Sequence, residues 1–213
     1  MFKINKFTNN DDVNIIVEKG PFTVIEYKRD LSVIPSTAMA AFFCNEMNVR
    51  KRQVVCDLSK ASGITCQSGA MQWSAGNVNA TTGIKGVGDF FGKAMRGKVT
   101  GESAIKPEYT GDGTLVLEPT YKHIILLDTA DWNRSVVLDD GLFLACDSAL
   151  KQKAVMRSNI SSAALGGEGL FNLSLNGNGI CCLESRCPQN ECGNLLYFIK
   201  ASPNSANTFI YSS

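Results

Sequence analysis

Histidine is almost missing from this sequence: His123 is the only one in 213 residues. A single imidazole excludes multi-histidine metal sites and leaves one such group for proton transfer. His123 stands directly before the apolar run Ile124–Leu127, the place of a strand-end residue rather than of a catalyst. No G-x-S-x-G nucleophile elbow occurs. A charge excess is missing too, because 21 Lys and Arg face 20 Asp and Glu. A net charge of +1 exerts no global pull on nucleic acid or acidic substrates. Long apolar runs are absent as well. Ile124–Leu127 and Gly141–Cys146 fall far short of the ~20 residues that span a bilayer as a helix. The N-terminal stretch MFKINKFTNNDD has no apolar h-region, so no secretory signal is read there. The expectation is a soluble, cytoplasmic protein for which peripheral contact with a membrane surface stays open. Four N-x-S/T matches, such as Asn79-Ala-Thr81, carry no weight without secretion.

Two glycine patterns come near to phosphate-binding loops and miss. Gly86-Val-Gly88-Asp-Phe-Phe-Gly92 spaces its last glycine one residue too far for a dinucleotide fingerprint and lacks a βαβ setting. Gly92-Lys-Ala-Met-Arg-Gly97-Lys98-Val99 has Val99 where a P-loop needs a magnesium-binding Ser or Thr. A strand, not a long helix, is expected after it. No cofactor and no catalytic residue is expected.

Eight cysteines are present. Without a secretory signal, reduced thiols are the default. Cys44, Cys56, Cys66 and Cys146 are scattered among apolar neighbours, where free Cys acts as a small hydrophobe. Cys181, Cys182, Cys187 and Cys192 cluster as C-C-x4-C-x4-C, a poor match to zinc-ligand spacing. On a strand, Cys181 and Cys182 would point to opposite faces. No metal site is expected.

The strongest positive feature is an internal duplication. GESAIKPEYTGDGTLVLE at 101–118 aligns without a gap to GEGLFNLSLNGNGICCLE at 167–184. Gly101/Gly167, Glu102/Glu168, Gly111/Gly177, Gly113/Gly179, Leu117/Leu183 and Glu118/Glu184 are identical. A weaker echo joins Gly69-Ala-Met-Gln-Trp-Ser-Ala to Gly141-Leu-Phe-Leu-Ala-Cys-Asp. Each copy should be one supersecondary module packed on its twin. The turn sequences Thr110-Gly-Asp-Gly and Asn176-Gly-Asn-Gly read as tight hairpins, whose residues tolerate positive φ. Glu102 and Glu168 read as structural acceptors of backbone N–H groups rather than as an acid–base pair. Pro107 cannot donate to a ladder and points to an edge or bulge.

The first fifty residues differ. Val13–Val17 and Phe22–Tyr27 read as strands joined by Glu18-Lys-Gly-Pro21. After Pro35, Ser36 is a candidate cap for a helix through about Met47, with Ala38, Ala41, Phe42, Cys44 and Met47 as packing positions. Arg50, Lys51 and Arg52 read as the solvated start of a strand, or as phosphate contacts. From Gln53 onward the chain reads β, with Gly63, Gly69 and Gly76 as punctuation, and Ile124–Asp128 and Val136–Asp139 as strands between the copies.

The copies are unequal: Gly69 to Gly101 spans 32 positions and Gly141 to Gly167 spans 26. The surplus contains Gly83–Lys98. On a helical wheel Ile84, Val87, Phe90, Phe91, Ala94 and Met95 share one side, while Lys85, Asp89, Lys93 and Arg96 take the other. Ile84, Lys85, Val87, Phe90, Phe91, Lys93, Met95, Arg96 and Lys98 are therefore a candidate contact surface for an anionic membrane or a protein partner. The other reading is that this face packs on its own sheet or on a neighbouring subunit.

Together, Ser68-Gly-Ala-Met-Gln-Trp73, Arg96-Gly-Lys-Val-Thr-Gly-Glu-Ser103, Asp140-Gly-Leu-Phe-Leu-Ala145 and Leu165-Gly-Gly-Glu-Gly-Leu-Phe171 carry a resemblance. Over roughly residues 53–185 the chain resembles the family named for altered inheritance of mitochondria protein 24. The resemblance implies an all-β fold of duplicated short double-stranded β-helix modules, similar to the tryptophan RNA-binding attenuation protein. It also implies a homotrimer in which six modules make a ring, and no established catalytic activity or ligand. The organisation expected is an N-terminal extension at 1–52 with strands and one short helix, a first β module at 53–118, a second at 119–185, and a divergent tail at 186–213. Members often continue with a further G-E-G motif, which Cys187–Ser213 lacks; there Asn194–Ala201 and Thr208–Tyr211 are strand-like. The functional expectation is a non-catalytic oligomeric β scaffold or binding protein. The alternative is a small-molecule or RNA-binding module by fold analogy, although nucleic acid is not an expected partner.

Overall fold

The computed structural model describes residues 4–30, 32–81, 106–138, 141–156, 171–186, 188 and 208–210. Among the described residues the fold is mostly β-sheet with one short helix. In chain order the elements are β1 (Val13–Lys19), β2 (Phe22–Tyr27), α1 (Ala38–Glu46), β3 (Arg52–Asp57), β4 (Ile64–Cys66), β5 (Met71–Thr81) and β6 (Glu108–Leu117). There follow β7 (His123–Asp128), β8 (Ser135–Leu138), β9 (Phe143–Asp147), β10 (Lys151–Met156), β11 (Phe171–Asn176), β12 (Ile180–Ser185) and β13 (Thr208–Ile210). One sheet runs β1-β2-β3-β6-β4-β9-β12-β7 with β5 added on β6, and curls into a nearly closed barrel. A second runs β10-β11-β8-β13.

The duplication is visible in the strand pairing. In the first module β5 lines one edge of β6 throughout, while the other edge pairs with β4 at Tyr109 and with β3 at Val116. In the second module β11 pairs with β10 and β8, and β12 pairs with β9 and β7. Thus β6 corresponds to β11 followed by β12, and β5 to β9 followed by β10. Each module also carries a short 3-10 turn after its first strand, at Leu58–Lys60 and Thr129–Trp132. Asp57 accepts from the Ser59 N–H at 3.1 Å, and Asp128 from the Ala130 N–H at 2.9 Å, the same cap in both copies. Gly69 and Gly141, which precede β5 and β9, have φ of 80° and 84°.

The hairpin reading of the two glycine turns is corrected. Gly111-Asp112-Gly113 lies inside the continuous strand β6, with Gly113 opposite Gly76 and Gly111 opposite Val78. Here the chain bends rather than reverses. Gly177-Asn178-Gly179 carries the chain from one sheet to the other, and β11 does not pair with β12. Thr129, fully buried, holds this crossing: its hydroxyl bonds to the Gly177 carbonyl at 2.8 Å and accepts from the Gly179 N–H at 3.1 Å. Positive φ falls at Gly111 (119°) and Gly177 (124°), not at Gly113 or Gly179. Gly76 likewise sits within β5 rather than between strands.

The cores follow from alternation. Ile124 and Leu126 join one apolar cluster with Phe22, Val54, Leu115 and Cys182, whereas Ile125 and Leu127 join another with Val136, Leu175 and Cys181. Strands β7 and β12 are covered on both faces, which is why they read as unbroken apolar runs. Strand β4 pairs with β6 of one module and β9 of the other, so three residues bind the two copies into one sheet. Pro107 precedes β6 and accepts the Cys66 N–H at 3.0 Å, a strand start where its missing donor costs nothing. His123 opens β7. In the tail, Thr208–Ile210 pairs in parallel with β8 and so extends the second sheet; Asn194–Ala201 lies outside the described residues.

The helix also departs from expectation. It spans Ala38–Glu46, its N-cap is Thr37 with no side-chain cap bond, and none of its residues is buried. Of the expected packing positions, Phe42 is 60% exposed and Met47, just past its end, 75%. Seven of the nine residues of AMAAFFCNE are apolar and they spread around the wheel, so no wide polar side opposes an apolar one to turn it inward.

The bend predicts unequal tolerance at equivalent glycines. A Cβ on Gly111 would meet the Asn77 carbonyl oxygen at 2.1 Å, whereas one on Gly177 would meet nothing nearer than 3.4 Å. Gly177→Ala should cost about 1–3 kcal/mol from backbone strain alone. Gly111→Ala should cost more, because the strand pair must also part. Urea unfolding of the two variants measures this, and equal losses would count against the bend.

Candidate functional site

The sequence-chosen contact surface, Ile84, Lys85, Val87, Phe90, Phe91, Lys93, Met95, Arg96 and Lys98, lies outside the described residues. So do Gly101, Glu102, Gly167 and Glu168. Gly111 and Gly113 sit in the β6 bend, and Gly177 and Gly179 in the sheet crossing.

What the fold does bring together is a polar cluster where the N-terminal extension meets the first module. Antiparallel β2 and β3 set Glu26 opposite Arg52, and their side chains form a 2.8 Å ion pair. Lys51 pairs with Asp30, and both side chains are less than a fifth exposed. Arg29 donates to Asp12 from Nε at 2.8 Å and lies 2.7 Å from it through Nη2. The run Arg50–Arg52 is therefore not a solvated strand start. Lys51 and Arg52 are held by carboxylates, and Arg50 Nη1 donates to the Lys28 carbonyl at 3.2 Å and to Asn45 Oδ1 at 3.0 Å. The buried Gln53 anchors the floor: it accepts from the Tyr27 hydroxyl and donates to Gln72 and to the Leu117 carbonyl, each at 2.7 Å. The Lys51 ammonium also lies 5.5 Å from the Tyr121 ring centroid.

Around this cluster lie two hollows of about 490 and 400 Å³ that share Tyr27, Arg29, Asp30 and Lys51 as a dividing ridge. Burial pushes the Tyr27 phenol up, and the Asp30 charge adds to it. Burial pushes the Asp30 carboxyl up as well, but hydrogen bonds from Lys51 and Ser32 outweigh it and hold it below its ordinary value. The charge runs Lys28-Arg29-Asp30 and Arg50–Arg52 were the legible sign of this site. Their convergence needed the β2–β3 register.

Five of the thiols are positioned as core. Cys56, Cys66, Cys146, Cys181 and Cys182 are buried and Cys44 is half-buried. Cys182 faces one apolar cluster and Cys181 the other, as strand alternation requires. Burial raises the Cys66 and Cys181 thiols to about 12 and the other three well above their ordinary value. Such thiols are poor nucleophiles and poor metal ligands. Among the described residues no group of three or more His, Cys, Asp or Glu is placed to hold a metal ion, and no helix is long and apolar enough to cross a membrane. Cys187 and Cys192 lie outside the described residues.

The fold thus defines a class: a protein of two fused, topologically matched β modules preceded by a β-hairpin and an apolar helix. A family model described as mitochondrial biogenesis AIM24 matches residues 46–195, and the chain belongs to that family. An uncharacterized protein of Streptococcus pyogenes serotype M6 is 34% identical over 137 residues, covering 61% of this chain and 54% of that protein. The chain thus spans about half the length of this curated relative. A crystal structure of a Streptococcus pyogenes protein is similar with a TM-score of 0.48 and 27% identity, over 66% of this chain and 61% of that one. The family match begins at residue 46, so the hairpin and nearly all of α1 precede it.

Two pH responses follow. The folded Asp30 has a depressed pKa, so its contribution is present above about pH 4 and is lost as pH falls through the folded value. The difference in Tm between wild type and Asp30→Asn should shrink from pH 6 to pH 3; a constant difference would refute the pairing. The buried thiols have raised values, so their contribution is full below about pH 8.5 and is lost as pH climbs toward 12. With Ellman's reagent at pH 8 and peptide mapping, Cys44 should react in the native protein, and Cys56, Cys66, Cys146, Cys181 and Cys182 only on unfolding. Rapid native labelling of Cys181 or Cys182 would contradict their burial.

Proposed function

We propose that this chain is a non-catalytic β scaffold that works by binding other macromolecules, assembling as a homotrimer and covering its exposed apolar extension in the assembly. One observation carries the reading. Of the ten large apolar side chains exposed on the described surface, Val33, Ile34, Met39, Phe42, Phe43, Met47 and Val49 all belong to one short segment. A contiguous apolar surface of this kind marks an interaction site. The Phe42 and Phe43 rings, in edge-on contact at 5.5 Å, are the natural anchors. Family membership links the chain, by name alone, to mitochondrial biogenesis. Attachment of Gly83–Lys98 to an anionic membrane belongs to the same reading as a second contact.

A small-molecule-binding role is the second reading, favoured by the hollow of about 490 Å³ beside α1. An RNA-binding role finds less support, since Lys51 and Arg52 are engaged by carboxylates.

Native mass spectrometry and sedimentation velocity test the first reading. Wild type should run as three copies and Phe42→Ser/Phe43→Ser as fewer, with far-UV circular dichroism unchanged. A monomeric wild type would sink the trimer, and an unaltered double variant would sink the role of α1. Salt-sensitive pelleting of wild type with anionic liposomes would support the membrane contact; its failure at low salt would remove it.

A further inference from the structure

Helix α1 stands off from the sheet it accompanies. Val33, Ala38, Ala41, Phe42 and Val49 line the larger hollow together with Tyr27, Lys28, Arg50, Tyr121 and the Lys51–Asp30 pair. Ala38, Ala41 and Phe42, spaced i, i+3 and i+4, form one helical face. That face meets an open space of about 490 Å³, within the ~300–1,000 Å³ of small-molecule sites. A lining that combines apolar and charged side chains selects an amphipathic occupant.

The charges choose its sign. Asp30 offsets Lys51, and Asp12 offsets Arg29. Arg50 and Lys28 are left. Both bonds of Arg50 are made by Nη1, and both go to neutral oxygens, the Lys28 carbonyl and Asn45 Oδ1. These two contacts hold the guanidinium in place, and among the described residues its Nε and Nη2 make no hydrogen bond. The Nε–Nη2 edge is the pair of parallel N–H donors that grips a carboxylate or phosphate. Among the described residues no carboxylate pairs with Arg50 or Lys28.

We infer that this hollow is a binding site for an amphipathic organic anion, a carboxylate or phosphate head on an acyl or aryl body. The head sits on the Nε–Nη2 edge of Arg50 with Lys28 beside it, and the body lies along Ala38, Ala41, Phe42 and Val33. Asn45 couples occupancy to the helix, because the guanidinium that binds the head also ties the end of α1 to the sheet. This site goes beyond the scaffold reading, with which it shares Val33, Phe42 and Val49.

Isothermal titration with decanoate, decyl phosphate, decyltrimethylammonium, decanol and inorganic phosphate, all below micellar concentration, tests it. Decanoate and decyl phosphate should saturate one site per chain, and the other three should not. Arg50→Gln should weaken decanoate by about tenfold or more, the loss of a charge-assisted bidentate contact. Since Arg50→Gln also loosens α1, Lys28→Gln is the cleaner variant: it breaks no side-chain bond among the described residues and should still weaken binding. Ala41→Trp, which fills the hollow, should abolish it. Equal binding of decyltrimethylammonium and decanoate, or of inorganic phosphate alone, would overturn the proposal. So would decanoate affinity unchanged by both Lys28→Gln and Ala41→Trp. A lipid source is separated by vesicles of phosphatidylglycerol in phosphatidylcholine. Pelleting that depends on Arg50 and Ala41, without uptake of the free acids, assigns the head to a membrane lipid. Neither uptake nor pelleting refutes the site. Native mass spectrometry of the same variants keeps this result apart from assembly, since Lys28→Gln should leave the subunit count unchanged.

Discussion

The two modules depend on a close approach of backbone to backbone. At the middle of β5 and β6 the chains run so near that a Cβ on Gly76 would lie 2.8 Å from the Asp112 carbonyl oxygen, and one on Gly111 2.1 Å from that of Asn77. The pair bends there as a unit. The bend lets β6 offer one end to β3 and the other to β4, so a single strand serves two parts of the sheet. In the second copy the same place is cut through: β9 and β10 separate, β11 and β12 separate, and a second sheet forms. The buried Thr129 hydroxyl then does with side-chain hydrogen bonds what continuous pairing does in the first copy.

From this geometry the core is partitioned. Strands β7 and β12 lie between two apolar clusters and present alternate residues to each. Ile124–Leu127 and Ile180–Leu183 on these strands are apolar throughout, and a small thiol fits where a larger group would overpack. The five buried cysteines are therefore packing atoms whose charge state is suppressed by burial, and the adjacent pair Cys181-Cys182 is divided between two cores.

The N-terminal extension obeys the opposite rule. Its hairpin joins the large sheet through β3, and the turn between β1 and β2 reaches the far end of that sheet, where Lys19 lies 3.8 Å from Asp131. Among the described residues, the segment between the hairpin and β3 contributes nothing to either core. Its described apolar side chains face solvent or the hollow, and ion pairs rather than burial fix its ends. A region built this way holds its shape with little apolar gain of its own, so its surface is available to something else.

Local chemistry was enough to read β1, β2 and the turn between them, the all-β character after Gln53, and the register of the duplication. Strand periodicity, turn residues and matched glycines act over a few positions and need no partner. The opposite facing of Cys181 and Cys182 was legible for the same reason. Three features needed the tertiary structure. Gly-x-Gly permits a hairpin or a bend equally, and only the strand running alongside at Asn77 decides for the bend. A mostly apolar segment such as AMAAFFCNE is as compatible with a buried helix as with an exposed one, since propensity does not say whether a core lies beside it. The charges at 28–30 and 50–52 become a site only when the β2–β3 register sets them together, because a long-range pairing is a property of the whole sheet and not of either segment.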